Sequence, residues 1–258
     1  MLSFDPAVAR EIVREAAQMA LHLRGQFKAE IKPDNTLVTE ADRQLELFLH
    51  EKLSQLAPEF AFLGEETGLT GDPNAPCWVI DPIDGTTNFV RGIPLWCISV
   101  GAVQGGQAIF GAVAVPPQNE IYWAASGEGA WCDRGGEVVR LEVPDGPELM
   151  QEDLIACNTT VERVVDITTV PCRLRNLGSL AYHKVALARG SLRASIAHWH
   201  KLYDIAGGMC LCQEAGCVAR YLNGKEWVAD VSSFKETMPL LVAPPQTMDE
   251  LLEKLVML

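Results

Sequence analysis

The sequence predicts a mixed fold of helices and sheets, α+β or α/β, packed in layers. Three observations carry this reading. Helical periodicity marks the first 25 positions and again 39–56, short apolar runs separated by turn residues fill 60–132, and strand and helix patterns alternate beyond 154. The chain has 258 residues, of which 48% are hydrophobic, enough to bury a sizeable core in one compact unit of two lobes.

The elements follow in order. Val8, Ile12, Ala16, Met19 and Leu23 recur every three or four residues and predict an amphipathic helix that Gly25 ends. A second helix starts at Thr39, where Thr39 and Asp42 have capping-box spacing, and Leu45, Leu49, Leu53 and Leu56 form its apolar stripe. Strands are predicted over 60–63, 78–80, 95–103, 108–115, 120–125 and 129–132, with Gly105-Gly106 as a hairpin turn. The polar, turn-rich stretch Gly135–Gly146 marks the boundary between a lobe of residues 1–140 and one of residues 141–258. In the second lobe, strands at 154–157, 192–197, 217–221 and 240–243 alternate with helices at 179–189, 203–215 and 248–257.

Composition narrows the function. A formal net charge of −13 argues against a nucleic-acid groove, which is built from Lys and Arg. No apolar run approaches the roughly 20 residues of a membrane-spanning helix, and charged residues such as Arg10, Glu11 and Arg14 interrupt any secretory signal. The eight Cys form no CxxC pair and read as buried thiols, so a cytoplasmic protein is expected. A zinc site at Cys210, Cys212 and Cys217 is disfavoured because helix positions two apart do not share a face.

The chemistry concentrates in three acidic segments. The first is Trp78-Val79-Ile80-Asp81-Pro82-Ile83-Asp84-Gly85-Thr86-Thr87-Asn88-Phe89. An apolar strand delivers Asp81, and a turn can bring Asp84 and the Ile83 carbonyl to the same spot, an oxygen-only donor set suited to Mg²⁺. Amides of Gly85 and Thr86, at the start of a short helix, would face a phosphate oxygen. Taken alone, two Asp at this spacing can also be a capped turn. The second segment, Gly64-Glu65-Glu66-Thr67, again follows an apolar strand. The third, Tyr203-Asp204-Ile205-Ala206-Gly207-Gly208, opens a helix, where Asp204 can also serve only as a cap.

Together GEET at 64–67, WVIDPIDGTTNF at 78–89 and YDIAGG at 203–208 resemble the inositol monophosphatase family of lithium-sensitive sugar phosphatases. TEAD at 39–42 and EAG at 214–216 agree, so the resemblance covers the chain in order. It implies a layered αβαβα sandwich of the sugar-phosphatase type, a homodimer and lithium inhibition. It further implies two or three Mg²⁺ ions per active site. Glu65, Asp81 and the Ile83 carbonyl would hold one ion, and Asp81, Asp84 and Asp204 a second, with a third, weaker ion near Glu65. By the same resemblance Gly85 and Thr86 bind phosphate, Thr86 and Asp42 orient the attacking water, Gly178 and Ser179 line the alcohol pocket, and Lys28 and Lys32 lie in a lid, though both also suit a solvated face. The implied reaction is in-line hydrolysis of a small alcohol phosphate by metal-activated water, without a phosphoenzyme.

Inositol 1-phosphate is the leading substrate expected. Animal inositol enzymes of this family carry a hydroxyl-binding Glu seven residues before the late Asp, where Ala197 stands here, followed by His198-Trp199-His200. His198 or His200 could take that role, or both could lie exposed at a strand end. The segment Phe89–Trp96 also resembles histidinol-phosphate phosphatases, fructose 1,6-bisphosphate is a third candidate, and a regulatory binding protein is the non-enzymatic alternative.

Overall fold

In the computed structural model, which describes residues 2–27, 29–31, 37–146, 148–232, 235–236 and 238–258, the N-terminal half is two helices on one face of a large sheet. Helix α1 (Pro6–Leu23) starts where the Asp5 side chain accepts from the Ala7 amide and Pro6 occupies the first position. Its buried stripe is Ala9, Ile12, Val13, Ala16 and Ala20, whereas Val8, expected in the stripe, is 45% exposed. The small alanines let the helix lie close to its neighbours, and Val8 falls one position off that face. A short pair, β1 (Glu30–Ile31) and β2 (Leu37–Val38), precedes α2 (Glu40–Leu56), whose capping box of Thr39 and Asp42 is formed as expected.

Next come β3 (Ala61–Gly64), β4 (Gly68–Thr70), β5 (Cys77–Asp84), the short helix α3 (Thr86–Arg91), β6 (Cys97–Gln104), β7 (Gln107–Val115), β8 (Glu120–Ala125), β9 (Gly129–Arg134) and β10 (Glu137–Leu141). They form an eight-stranded sheet in the order β10-β9-β8-β7-β6-β5-β3-β4. All pairs are antiparallel except β3 with β5. The stretch expected to be a polar boundary thus contains β10, whose edge position exposes Glu137, Val138 and Arg140 and so gives a strand without an apolar pattern.

The second half supplies β11 (Leu154–Cys157), β12 (Val165–Asp166), β13 (Arg173–Arg175), α4 (Leu180–Ala188), β14 (Ala194–Ala197), β15 (His200–Lys201), α5 (Leu202–Glu214), β16 (Val218–Tyr221), β17 (Lys235–Glu236), β18 (Leu240–Ala243), α6 (Pro245–Lys254) and β19 (Val256–Met257). A five-stranded sheet runs β13-β11-β14-β18-β16, parallel across the first three strands. The expected helix over 248–257 is corrected: α6 starts at Pro245 and stops at Lys254, because Val256 and Met257 pair with Asp166 and Val165.

Three buried clusters show the layering. Trp78 and Ile80 of β5 face α1 and α2, while Cys77 and Val79 face α4 and α5, as strand alternation requires. The α4/α5 layer also meets Ala156, Ala197, Leu240 and Val242 of the second sheet. Ile155, Ile196 and Leu241, on that sheet's outer face, pack on Met248 and Leu251 of α6. The sequence of layers is therefore α1/α2, sheet, α4/α5, sheet, α6, the αβαβα sandwich. Seven of the eight Cys are buried and Cys172 is half-buried; all are free thiols.

Candidate active site

Helix α5 sits flush on the large sheet because three glycines remove the side chains between them. A Cβ on Gly207 would lie 2.8 Å from the Val100 carbonyl oxygen, and one on Gly111 would lie 2.0 Å from the Gly207 oxygen. The same contact recurs at Gly101, where a Cβ would fall 2.9 Å from that of Ala206. This close seat brings Asp204, in the first turn of α5, beside the end of β5. Asp204 Oδ2 accepts from the Lys201 amide at 2.7 Å and so also caps the helix.

At the end of β5, Asp81 Oδ1 accepts from the Ile83 amide at 3.1 Å. Asp84 Oδ2 accepts from Ser179 Oγ at 2.7 Å and from the Ala181 amide, both at the start of α4. Gly85, at φ +93, makes the left-handed turn that starts α3. Thr86 Oγ1 lies 3.1 Å from the Ile83 carbonyl and 3.4 Å from Asp42 Oδ1, so Thr86 and Asp42 do meet. Asp42 is fully enclosed and also accepts from the Thr39 amide and hydroxyl.

Sequence reasoning missed two residues here. Glu46 is buried on α2, and its oxygens accept from the amides of Glu66 at 2.9 Å and Thr67 at 2.8 Å, fixing the turn that carries Glu65. Gly64 leaves room for it, since a Cβ there would fall within 2.4 Å of Glu46 Oε1. The signal was a Glu next to Leu45, one turn after Asp42, beside the apolar stripe of the helix. Asn88 donates to the carbonyls of Leu95 and Leu177 and ties α3 to the loop before α4. Ser179, expected only at the alcohol pocket, gives its one hydroxyl proton to Asp84 and accepts from the Tyr182 amide as the cap of α4.

The acidic groups feel one another. Burial, then the charges of Glu65, Asp84, Asp204 and Asp42, push the Asp81 carboxyl well above the usual carboxylate range. Burial raises Asp84 to about 7, against the opposing bonds from Ala181 and Ser179. Asp204 is raised by desolvation first and by Asp84 next, and Asp42 chiefly by burial.

A cavity of about 540 Å³ opens over this cluster. Glu65, Asp81, Ile83, Asp84, Gly85, Thr86, Gly178, Ser179 and Asp204 all line it, so every expected site residue among the described residues faces it except Asp42, which stands behind Thr86. Lys28 and Lys32 lie outside the described residues. The lining also includes Asn158, Thr160, His183, His198 and Trp199. Ala197 does not reach the cavity; it is fully buried in the layer beneath. His198 does reach it and is half-buried, while His200 is buried in β15, which pairs with β17, so neither lies exposed at a strand end. Asn158 pins this corner, accepting from the His198 amide at 3.0 Å and donating to the Trp199 carbonyl at 2.7 Å.

The donor set fits a hard divalent cation. It is oxygen only, and Asp81, Asp84 and Asp204 each have one oxygen held by protein donors while the other makes no hydrogen bond among the described residues. No three Asp, Glu, His or Cys side chains among the described residues already stand as a ready cage.

Comparison with known proteins defines the class. The solved structure of the IMPase of Thermotoga maritima superposes with a TM-score of 0.80, covering 95% of this chain and 94% of that one at 26% identity. Mycobacterium tuberculosis SuhB superposes with a TM-score of 0.75 over 96% of this chain and 94% of that one at 30% identity. The chain thus has the layered fold of these phosphoric monoester hydrolases. It belongs to the inositol monophosphatase family, whose model matches residues 1–256. Among curated relatives, inositol monophosphatase 2 of Saccharomyces cerevisiae is 32% identical over 74% of this chain and 71% of its own length. The inositol-1-monophosphatase of Mycobacterium bovis is 35% identical over 74% and 70%, and the histidinol-phosphatase of M. tuberculosis 32% over 77% and 79%.

Proposed function

We propose that this phosphatase hydrolyses the phosphate ester of a small ring-bearing alcohol, inositol 1-phosphate first, and that it requires Mg²⁺. The observation that carries the reading is that one cavity is lined both by the acidic cluster and by hydrogen-bonding side chains such as Asn158, Thr160 and His198. Glu65, Asp81, Asp84, Asp204 and the Ile83 carbonyl would hold the cations, two or three in number. When bound, Mg²⁺ would offset the roughly two negative charges of a phosphate monoester, acidify water and stabilise the departing alkoxide.

The chain's own groups supply the rest. Amides of Gly85 and Thr86 orient the phosphate. Asp42, kept out of water, is placed to accept the hydrogen bond of the Thr86 hydroxyl, leaving the hydroxyl oxygen free to accept from a water molecule. Ser179 and the Ala181 amide fix Asp84, and Lys201 fixes Asp204, so the cluster keeps its geometry during turnover. The indole of Trp199, 44% exposed, offers a face for the alcohol ring, and His198 offers a ring nitrogen, Nδ1, that no protein group among the described residues occupies. Histidinol phosphate is the second reading, favoured by the identity to the M. tuberculosis enzyme.

Phosphate release from inositol 1-phosphate, histidinol phosphate and fructose 1,6-bisphosphate, each with and without Mg²⁺, tests the reading. Mg²⁺-dependent release fastest on the inositol ester is expected. Fastest release on histidinol phosphate selects the second reading, and no release on any ester removes both.

A further inference from the structure

Lys184 is a charge the hydrolytic scheme leaves unused. It is fully enclosed, which is rare for lysine, and its Nζ donates to Ser195 Oγ of β14 at 2.9 Å. Its place in the fold is specific. On α4 it stands one turn after Ala181, whose amide holds Asp84. On the facing helix α5 its stem crosses Gly208: a Cβ on that glycine would lie 2.4 Å from the Lys184 Cβ and 2.8 Å from its Cγ. Gly208 is one turn after Asp204. Residues one turn apart on a helix face are about 5–6 Å from each other, so the lysine sits one helical turn behind both carboxylate positions.

Cys212 of α5 donates to the Lys184 carbonyl at 3.4 Å, and the lysine interacts through space with Cys212, Asp84, Asp204, Cys217 and its neighbour His183. Burial lowers the lysine's proton affinity, and Cys212 first, then the carboxylates of Asp84 and Asp204, oppose that change. An apolar residue would fill the same space without the desolvation cost. The retained charge therefore points to an electrostatic task.

We propose that Lys184 is an internal counter-charge for the carboxylate cluster, a positioning residue that steadies Asp84 and Asp204 against mutual repulsion and holds cation affinity at a readily reversible level. The proposal rests on the divalent-cation reading of the site. Through-space repulsion between a unit charge and a divalent ion about one or two helical turns apart is large enough to change affinity by at least about tenfold.

The test is calorimetric titration of Mg²⁺ into the full-length wild type, Lys184→Met and Lys184→Gln proteins, with thermal melts in chelator and in Mg²⁺. Both variants are expected to bind Mg²⁺ about tenfold more tightly than wild type and to gain a larger melting shift from it. Variants that fold in Mg²⁺ but not in chelator also support the proposal, because the ion then replaces the missing charge. Affinities within twofold of wild type overturn it, and so does failure of both variants to fold in either condition, which assigns Lys184 to packing. Absence of Mg²⁺ binding by the wild type removes the cation reading itself, a result distinct from the other two.

Discussion

Two parts of the cavity lining are built on different principles. In the acidic part, Asp81, Asp84 and Asp204 are each held by an N–H or O–H fixed at a strand end or a helix start. In the other, His198 and Trp199 follow the end of β14, and the side-chain amide of Asn158 fixes their backbone. The difference teaches where precision is placed. The groups that would meet the phosphate are locked by regular backbone, while those that would meet the alcohol stand on a loop corner whose residues can change without disturbing the sheets.

The comparison breaks first at its acidic end. Asp84→Asn should lower kcat by more than 100-fold, about 2.7 kcal/mol of barrier, with the circular dichroism spectrum unchanged. Retention of a tenth of the activity would mean that the cluster does not act as a unit. Next is the seat of α5. Gly207→Ala introduces a methyl group 2.7 Å from Ser99 Oγ and 2.8 Å from the Val100 oxygen. A loss of about 2 kcal/mol in denaturant unfolding is expected, with lowered activity because Asp204 moves with the helix. Unchanged stability would show that α5 is not tightly seated.

The alcohol wall should respond more gently. His198→Ala and Trp199→Ala are each expected to raise KM for inositol 1-phosphate about tenfold, roughly 1.4 kcal/mol, while kcat falls less than threefold. The preference for that ester over glycerol 2-phosphate should shrink in step. A fall confined to kcat would move both residues out of substrate recognition.

The smallest effect concerns pH. His183 is buried and its Nε2 accepts from the Leu177 amide, so it is held neutral, with its pKa pushed down to about 3. The unfolded chain binds that proton near pH 6.5 and the folded chain does not, so this group removes stability as pH falls from 6.5 toward 3. Between pH 6.5 and 5.5 the loss is about 1 kcal/mol. Unfolding of His183→Asn should show a shallower acid slope across this range, and an unchanged slope would place the acid sensitivity elsewhere.

The same contrast explains what the sequence reveals. The strand ending in Asp81 and Asp84 is legible because a continuous apolar run, Pro82 and Gly85 each act locally. Capping by Thr39 is legible for the same reason. Glu46 is hidden, because its burial depends on space left by Gly64 on another element. The side of Ala197 is hidden too: in a strand a one-residue offset reverses the face, so only the sheet register settles that His198 and not residue 197 reaches the cavity. The short strand Val256–Met257 escapes sequence reading because its partner lies about ninety positions earlier in the chain.

The most direct test of the central claim is phosphate release from inositol 1-phosphate by the wild-type chain, measured in Mg²⁺ and again after chelation. Release that requires Mg²⁺ and returns when the ion is restored is the expected result. Release at an equal rate in chelator would contradict the assignment of Glu65, Asp81, Asp84 and Asp204 to a cation-holding site.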